Sequence, residues 1–255
     1  MTRALDLTGK VAIVTGAGGG IGAATCRAFA EQGAVVIAAD RDGASAGDLV
    51  AILKADGYRA DAAVLDVTNE KAVGDTFESV STAYGAPDIL VNNAGLSIRK
   101  GVTEISLEEW VRVFDVNVTG AFLCAREAAR RMLPRRSGTI VNVASIMGFS
   151  GGGPYPNPAY QASKGALVNL TRALAVELAP AGIRVNGVAP TWVRTAFIGE
   201  LTKNEEAFGR ITALMPLGRI AEPEEVAAAI LFLASPMASM TTGHILPVDG
   251  GFLAQ

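Results

Sequence analysis

The stretch Ala159-Tyr-Gln-Ala-Ser-Lys-Gly-Ala-Leu167 carries two residues with the types and spacing for proton transfer. Tyr160 and Lys164 are separated by one helical repeat, which puts both on the same face of a helix. A phenol with an ordinary pKa of ~10 is a poor base at neutral pH, and bringing it toward 7 takes ~4 kcal/mol of preferential stabilisation of the phenolate. An ammonium held within a few ångströms supplies part of that stabilisation. The spacing alone is weak evidence, because the same pair occurs on solvated helix surfaces.

A second stretch provides something for that pair to act beside. Thr15-Gly-Ala-Gly-Gly-Gly-Ile-Gly22 follows the apolar run Val11-Ala-Ile-Val14. A strand that runs through glycines into a helix aims the helix N-terminus, with its unpaired N–H groups and positive dipole end, at an anion. Gly16, Gly19 and Gly20 let backbone approach a pyrophosphate, Ile21 opens the helix, and Gly22 lets that helix pack closely on the strand. Asp40 ends the next apolar run, where an acidic residue can bond the 2′-hydroxyl of an adenosine ribose. Its carboxylate repels a 2′-phosphate, so NAD is expected over NADP, although Arg41 is a cation such a phosphate would meet. Positions 18 and 19 are glycine and supply no second cation. Asp66, ending the third run, can accept a hydrogen bond from adenine; capping the following helix is its plainer role.

These residues need a frame, and the chain spells one out. Strand patterns fall at 11–15, 34–39, 62–67, 88–94, 138–145, 183–190 and 244–250, mostly apolar throughout, as strands covered on both faces are. Helical patterns lie between them at 21–32, 44–56, 70–84, 106–116, 120–133, 159–179 and 223–234. Gly33 and Gly57 follow helix ends, Thr68 suits an N-cap and Pro223 a first turn. Repeated strand–helix alternation specifies an α/β fold with a parallel, doubly wound sheet of seven strands and helices on both faces. No linker divides residues 1–255, so one domain is expected. The longer stretches 146–158 and 191–221 follow strand carboxyl ends, where ligands of open α/β sheets bind.

Taken together, the glycine motif, Asp66-Val67, Asn92-Asn93-Ala94-Gly95, Asn117, Ser145 and Tyr160-x-x-x-Lys164 resemble the short-chain dehydrogenase/reductases in order and approximate spacing, over nearly the whole chain. The resemblance implies a Rossmann-like domain, a nicotinamide cofactor, no metal in the chemistry and commonly a homotetramer, with helices 120–133 and 159–179 as the interface. It makes Tyr160 the general acid/base and Lys164 the residue that lowers its pKa and binds the nicotinamide ribose. Ser145 would bond the substrate oxygen, and Asn117 would hold a water linking Lys164 to solvent. Asn92, Ala94 and Gly95 resemble the turn along the cofactor, Val67 lies beside Asp66, and Pro190, Val193 and Thr195 belong to the segment that orients the carboxamide. A positively charged nicotinamide would add to the acidification of Tyr160.

The chain departs from the family at Pro190-Thr191, where Pro-Gly is usual. Its Ser145-to-Tyr160 segment is also longer than in many members. That segment, rich in Gly and Pro, resembles one found in polyol and sugar-alcohol dehydrogenases, so a small secondary alcohol of that kind is the expected substrate. Met147, Tyr155, Thr191 and Trp192, with Ser145 and Tyr160, are its expected contacts. Trp192, Phe197, Leu201, Phe208, Leu214 and Met215 favour an alternative, an apolar or 3-oxoacyl ketone.

Composition narrows the field further. A net charge of −3, from 22 basic and 25 acidic residues without runs, offers no stripe for a nucleic acid backbone. Cys26, Cys124 and the single His244 make no zinc cluster, and a reducing, cytoplasmic setting is expected. The opening residues lack a signal-peptide pattern, and no stretch approaches the ~20 apolar residues of a membrane span. Gly148-Phe-Ser-Gly-Gly152 matches a hydrolase nucleophile motif, but it runs into Gly153-Pro154 rather than a helix, and His244 stands in the wrong order for a triad. A non-catalytic NAD-binding scaffold is the other rival, and the retained Ser145, Tyr160 and Lys164 speak against it.

Overall fold

The computed structural model describes residues 5–199 and 205–255. Its seven strands are β1 (Val11–Thr15), β2 (Val35–Asp40), β3 (Ala60–Val64), β4 (Ile89–Asn92), β5 (Gly138–Val143), β6 (Ile183–Pro190) and β7 (Ile245–Val248). All pair in parallel, in the order β3-β2-β1-β4-β5-β6-β7. The described helices are α1 (Gly20–Glu31), α2 (Gly43–Ala55), α3 (Glu70–Tyr84), α4 (Leu107–Phe114), α5 (Gly120–Met132), α6 (Pro158–Leu178), α7 (Glu205–Thr212) and α8 (Pro223–Ala234).

The period of two along each strand sorts side chains between two cores. Ala12, Val14, Val36, Val91 and Val141 pack with Cys26 and Phe29 of α1 and Ile230 and Leu233 of α8. Ile13, Ile37, Leu90 and Ile140 face the other way, against Phe77 of α3, Cys124 and Ala128 of α5, and Leu178 of α6. Central strands are therefore apolar at successive positions. The edge strand β3 is buried only at Ala60 and then alternates partly buried with exposed residues, and Val64 is 71% exposed.

Strand order reverses between β1 and β4, and a polar latch ties their ends. Thr15 Oγ1 accepts from the N–H groups of Asn93 and Ala94, each at 3.1 Å, and Asn93 Nδ2 donates to the carbonyls of Thr15 and Gly16. Helix α1 presses onto this latch: a Cβ at Gly22 would lie 2.2 Å from the Gly16 carbonyl oxygen and 2.7 Å from Asn93 Nδ2.

Several expected boundaries shift for physical reasons. β3 spans 60–64 rather than 62–67, because Asp66 turns the chain by accepting from Thr68 N–H and Thr68 Oγ1. Thr68 is thereby spent and does not cap α3; Asn69 does, accepting from Ala72 N–H at 3.0 Å. Strands β4, β5 and β7 end before positions 94, 145 and 250. The helix expected at 106–116 ends at Phe114 and passes through a wide π-turn, Asp115–Thr119, into α5. Pro223 does open α8, inside a capping box of Glu222 and Glu225.

Gly22→Ala is expected to lower stability by about 2–3 kcal/mol in denaturant unfolding, since its methyl meets the Gly16–Ala17 backbone and the Asn93 side-chain amide. Gly47→Ala, in mid-α2 with nothing within 4 Å of the added carbon, should instead stabilise by about 0.5–1 kcal/mol. Equal losses would show that close packing is not what position 22 requires.

Candidate active site

A cavity of about 580 Å³ opens over the carboxyl ends of β1, β4, β5 and β6. At one end lies the glycine cradle. Gly16 and Gly20 take φ of +63° and +53°, and a Cβ at Gly19 would meet no protein atom within 4 Å. Gly19 is the N-cap of α1 and offers no side chain to the first-turn N–H groups, which leaves them for an anion. Asp40 shapes the same loop: its carboxylate accepts from Gly18 N–H at 2.8 Å and Asp42 N–H at 2.9 Å. Gly18 has no room for a side chain, because its Cβ would lie 2.8 Å from Ser45 Cβ. Arg41, Asp66 and Val67 line the cavity beside Asp40, and Arg41 helps hold the Asp66 carboxyl below its usual range, after the hydrogen bonds from Thr68.

These features fit the pyrophosphate and adenosine ribose of a dinucleotide. Glycines clear the approach, a helix end faces the anion and a carboxylate stands at the ribose position.

At the other end Tyr160 and Lys164 project from α6, and Ser145 from the end of β5. Ser145 lies close enough to the Tyr160 hydroxyl to pull its pKa down, and its Oγ accepts from Met147 N–H at 3.1 Å. Lys164 is 4% exposed; its Nζ donates to the Val143 carbonyl at 2.7 Å and lies 5.6 Å from the centroid of the Tyr160 ring. Burial pushes Tyr160 up to about 12, against the pull of the Ser145 hydrogen bond and the positive charge of Arg99. Burial also brings Lys164 down to about 8. The expected lowering of the phenol's pKa by Lys164 is thus not seen in the ligand-free chain, where burial outweighs the pull of Ser145 and Arg99.

Most of the other anticipated residues also reach the cavity: Ile21, Ala94, Gly95, Met147, Tyr155, Pro190, Thr191, Trp192, Val193 and Thr195 all line it. Three do not. Gly22 lies beneath, packed on the latch. Asn92 is buried in the sheet, its Nδ2 donating to Ala121 O and Asn142 Oδ1; its neighbour Asn93 is the one that lines the cavity. Asn117 sits in the π-turn with both amide hydrogens committed, to Leu96 O and Ser163 Oγ, while its Oδ1 accepts from Leu96 N–H.

Thr191, the departure from Pro-Gly, turns its hydroxyl to Met215 Sδ at 3.2 Å. The apolar residues of 191–221 mostly pack on one another: Trp192, Ile198, Ile211, Met215 and Ile220 form a cluster with Phe208, Leu214 and Phe252. Of the six named earlier only Trp192 and Phe197 line the cavity, and Leu201 lies outside the described residues. Both cysteines are buried with their thiols pushed up by desolvation. No His/Cys/Asp/Glu group among the described residues could hold a metal, and no described helix is long and apolar enough to cross a membrane. Arg99, on the loop after β4, is a residue the sequence reading missed. Only the cation pair in Ser97-Ile-Arg-Lys100, just beyond the Asn92–Gly95 turn, pointed to it.

A phenol, hydroxyl and ammonium at the switch point of a doubly wound sheet, opposite a dinucleotide cradle, define a nicotinamide-dependent oxidoreductase. Known proteins agree. A family model described as enoyl-(acyl carrier protein) reductase matches residues 16–253. Cis-4-hydroxycyclohexanecarboxylate dehydrogenase of Sinomonas cyclohexanicum is 43% identical over 247 residues, covering 96% of this chain and 97% of the relative. Galactitol 2-dehydrogenase of Rhizobium johnstonii is 40% identical over 248 residues, covering 96% of each. The crystal structure of a gluconate 5-dehydrogenase from Burkholderia cenocepacia, in complex with NADP and tartrate, matches with a TM-score of 0.94 at 32% identity, covering 99% of this chain and 98% of that one. The chain belongs to the short-chain dehydrogenase/reductase family and is an oxidoreductase acting on CH–OH groups with NAD(P).

The depressed Lys164 has a testable consequence. Between pH 8 and its ordinary 10.5 the unfolded chain holds a proton that the folded one lacks, so stability rises with pH across that window, and the full cost of burying the charge is present below it. Relative to Lys164→Met, the ligand-free wild type should gain about 2–3 kcal/mol from pH 8 to 10 in denaturant unfolding. A pH-independent difference would mean that the ammonium is not desolvated in the folded protein.

Proposed function

We propose that this protein is an NAD-dependent dehydrogenase that interconverts a small secondary alcohol of the polyol or sugar type and its ketone. The observation that carries the reading is that Ser145, Tyr160 and Lys164 line one cavity together, with Lys164 Nζ 5.6 Å from the centroid of the Tyr160 ring. Two hydroxyls so held can clamp one substrate oxygen, which fixes the carbon bearing it. In oxidation Tyr160 takes the hydroxyl proton, and in reduction it returns one. The nicotinamide, when bound, supplies the hydride acceptor or donor. Lys164 stabilises the phenolate electrostatically and is placed to bind the ribose of the nicotinamide half. Asn117 holds the loop after β4 in position, and with its amide hydrogens spent its side chain could hold a relay water only as an acceptor, through Oδ1.

Asp40 supports NAD, and the similarity to a galactitol dehydrogenase supports a polyol. Arg41 on the rim, and the NADP bound to the gluconate 5-dehydrogenase, keep NADP as the second reading. The inward packing of Phe208, Leu214 and Met215 removes most of the reason for an apolar ketone. A homotetramer through α5 and α6 fits the exposure of Phe122 and Val176 on those helices, and light scattering after gel filtration would count the copies.

Tyr160→Phe should lower kcat by roughly 10²–10⁴ fold on any alcohol from a polyol and sugar panel, while calorimetry still registers NAD binding. Unchanged turnover would remove Tyr160 as the base. kcat/KM with NAD+ should exceed that with NADP+ by at least about tenfold, and Asp40→Ser should narrow the ratio. The ratio is the readout because Asp40 also holds Gly18 and Asp42, so both absolute values will fall. A native preference for NADP+ would overturn the assignment.

A further inference from the structure

We propose that Arg99 is a specificity residue that binds a carboxylate on the substrate, so that the preferred alcohols are hydroxy acids. The inference rests on the preceding reading only in taking Tyr160 as the reacting end of the cavity.

Arg99 is exposed, yet it is held in place. Its guanidinium carbon lies 5.1 Å from the centroid of the Tyr155 ring and 6.0 Å from that of Phe197, and its Nη2 donates to the Phe197 carbonyl at 2.9 Å. The platform itself is fixed: Trp192 Nε1 donates to the Tyr155 hydroxyl at 3.1 Å. Both rings line the cavity, and the Phe197 ring is 6.1 Å from that of Tyr160, so the cation stands one ring away from the catalytic phenol. Its charge is felt there, favouring the phenolate.

Its chain neighbour Lys100 is neutralised by Glu109. Among the described residues no carboxylate pairs with Arg99. Nη2 is spent on the Phe197 carbonyl, and the remaining N–H groups of the planar guanidinium can still meet the oxygens of a carboxylate. A cation held against two cavity-lining rings, with no carboxylate partner among the described residues, thus has the geometry to recognise an anion. Its nearness to Tyr160 suits a carboxylate a short carbon chain or ring away from the reacting carbinol. The phosphate of a carrier-bound acyl group, at the end of a long flexible arm, would lie too far out.

The test is a panel of aldonic acids of four to six carbons and of ring hydroxy acids, each paired with its primary amide, assayed as kcat/KM with NAD+; acetoacetyl-CoA serves in the reductive direction. Wild type should favour the acid of a productive pair by at least about tenfold. Arg99→Gln should cut the acid by roughly 30-fold more than the amide, mainly through KM, and so erase the preference, and Arg99→Lys should restore part of it. Equal loss for acid and amide, a wild-type preference for amides, or an effect of Arg99→Gln confined to acetoacetyl-CoA would each overturn the proposal. Calorimetric titration of the same acids into NADH-loaded protein separates the two readings. Acid binding that disappears in Arg99→Gln upholds the site even if Tyr160→Phe stays active, whereas no binding of any acid sinks it.

Discussion

The ammonium of Lys164 sits where water does not reach, and the geometry of the active centre follows from that. A buried lysine loses hydration worth several kcal/mol, and here the compensation is a single main-chain carbonyl, Val143 O, plus the face of the Tyr160 ring. So placed, the charge acts through low-dielectric surroundings, where each ångström counts more than it would in water. The cost is visible in the lowered pKa of the lysine and the raised pKa of the tyrosine: ligand-free, each is pushed toward its neutral form.

Holding that arrangement takes close backbone contact. The turn after β5 must press against α6 to set Ser145 beside Tyr160, and it does so through Gly148, where a Cβ would lie 2.8 Å from the Lys164 carbonyl oxygen. Polar side chains inside the sheet fix the rest. Asn92 bonds Asn142, Asn142 bonds Thr171 of α6, and Asn117 ties the π-turn to both Leu96 and Ser163. Helix α6 is thus bonded to the elements that carry the loops around the site. The cradle at the far end follows the same logic: Asp40 organises Gly18 and Asp42, so the carboxylate placed for the ribose also shapes the phosphate loop.

Elements whose cause is local were legible in the sequence. Tyr160 and Lys164 are one helical repeat apart, the glycine run needs only its neighbouring strand and helix, and apolar runs mark strands buried on two faces. What escaped has its cause elsewhere in the chain. The π-turn exists because Asn117 is drawn to residues far away in sequence, and nothing in Asp115–Thr119 forecasts it. Thr68 and Asn69 are equally good caps by type, and the choice is made by Asp66, which claims the threonine first. The Asn92–Asn93 pair alternates across the pleat, so one enters the sheet and the other meets the glycine loop.

Substrate recognition shows the same divide between composition and placement. Segment 191–221 is apolar enough in sequence to suggest a greasy pocket, but an apolar side chain buries itself against whatever apolar surface lies nearest. Here that surface is the segment's own cluster together with Phe252 and Leu253 near the chain's end. Even Thr191 is engaged, through Met215. What the cavity receives from this part of the chain is mainly two rings, Trp192 and Phe197. Their partners are polar: the Tyr155 hydroxyl for the first and Arg99 for the second. The apolar residues thus build a wall that holds Tyr155 and Arg99 beside the ring of Tyr160.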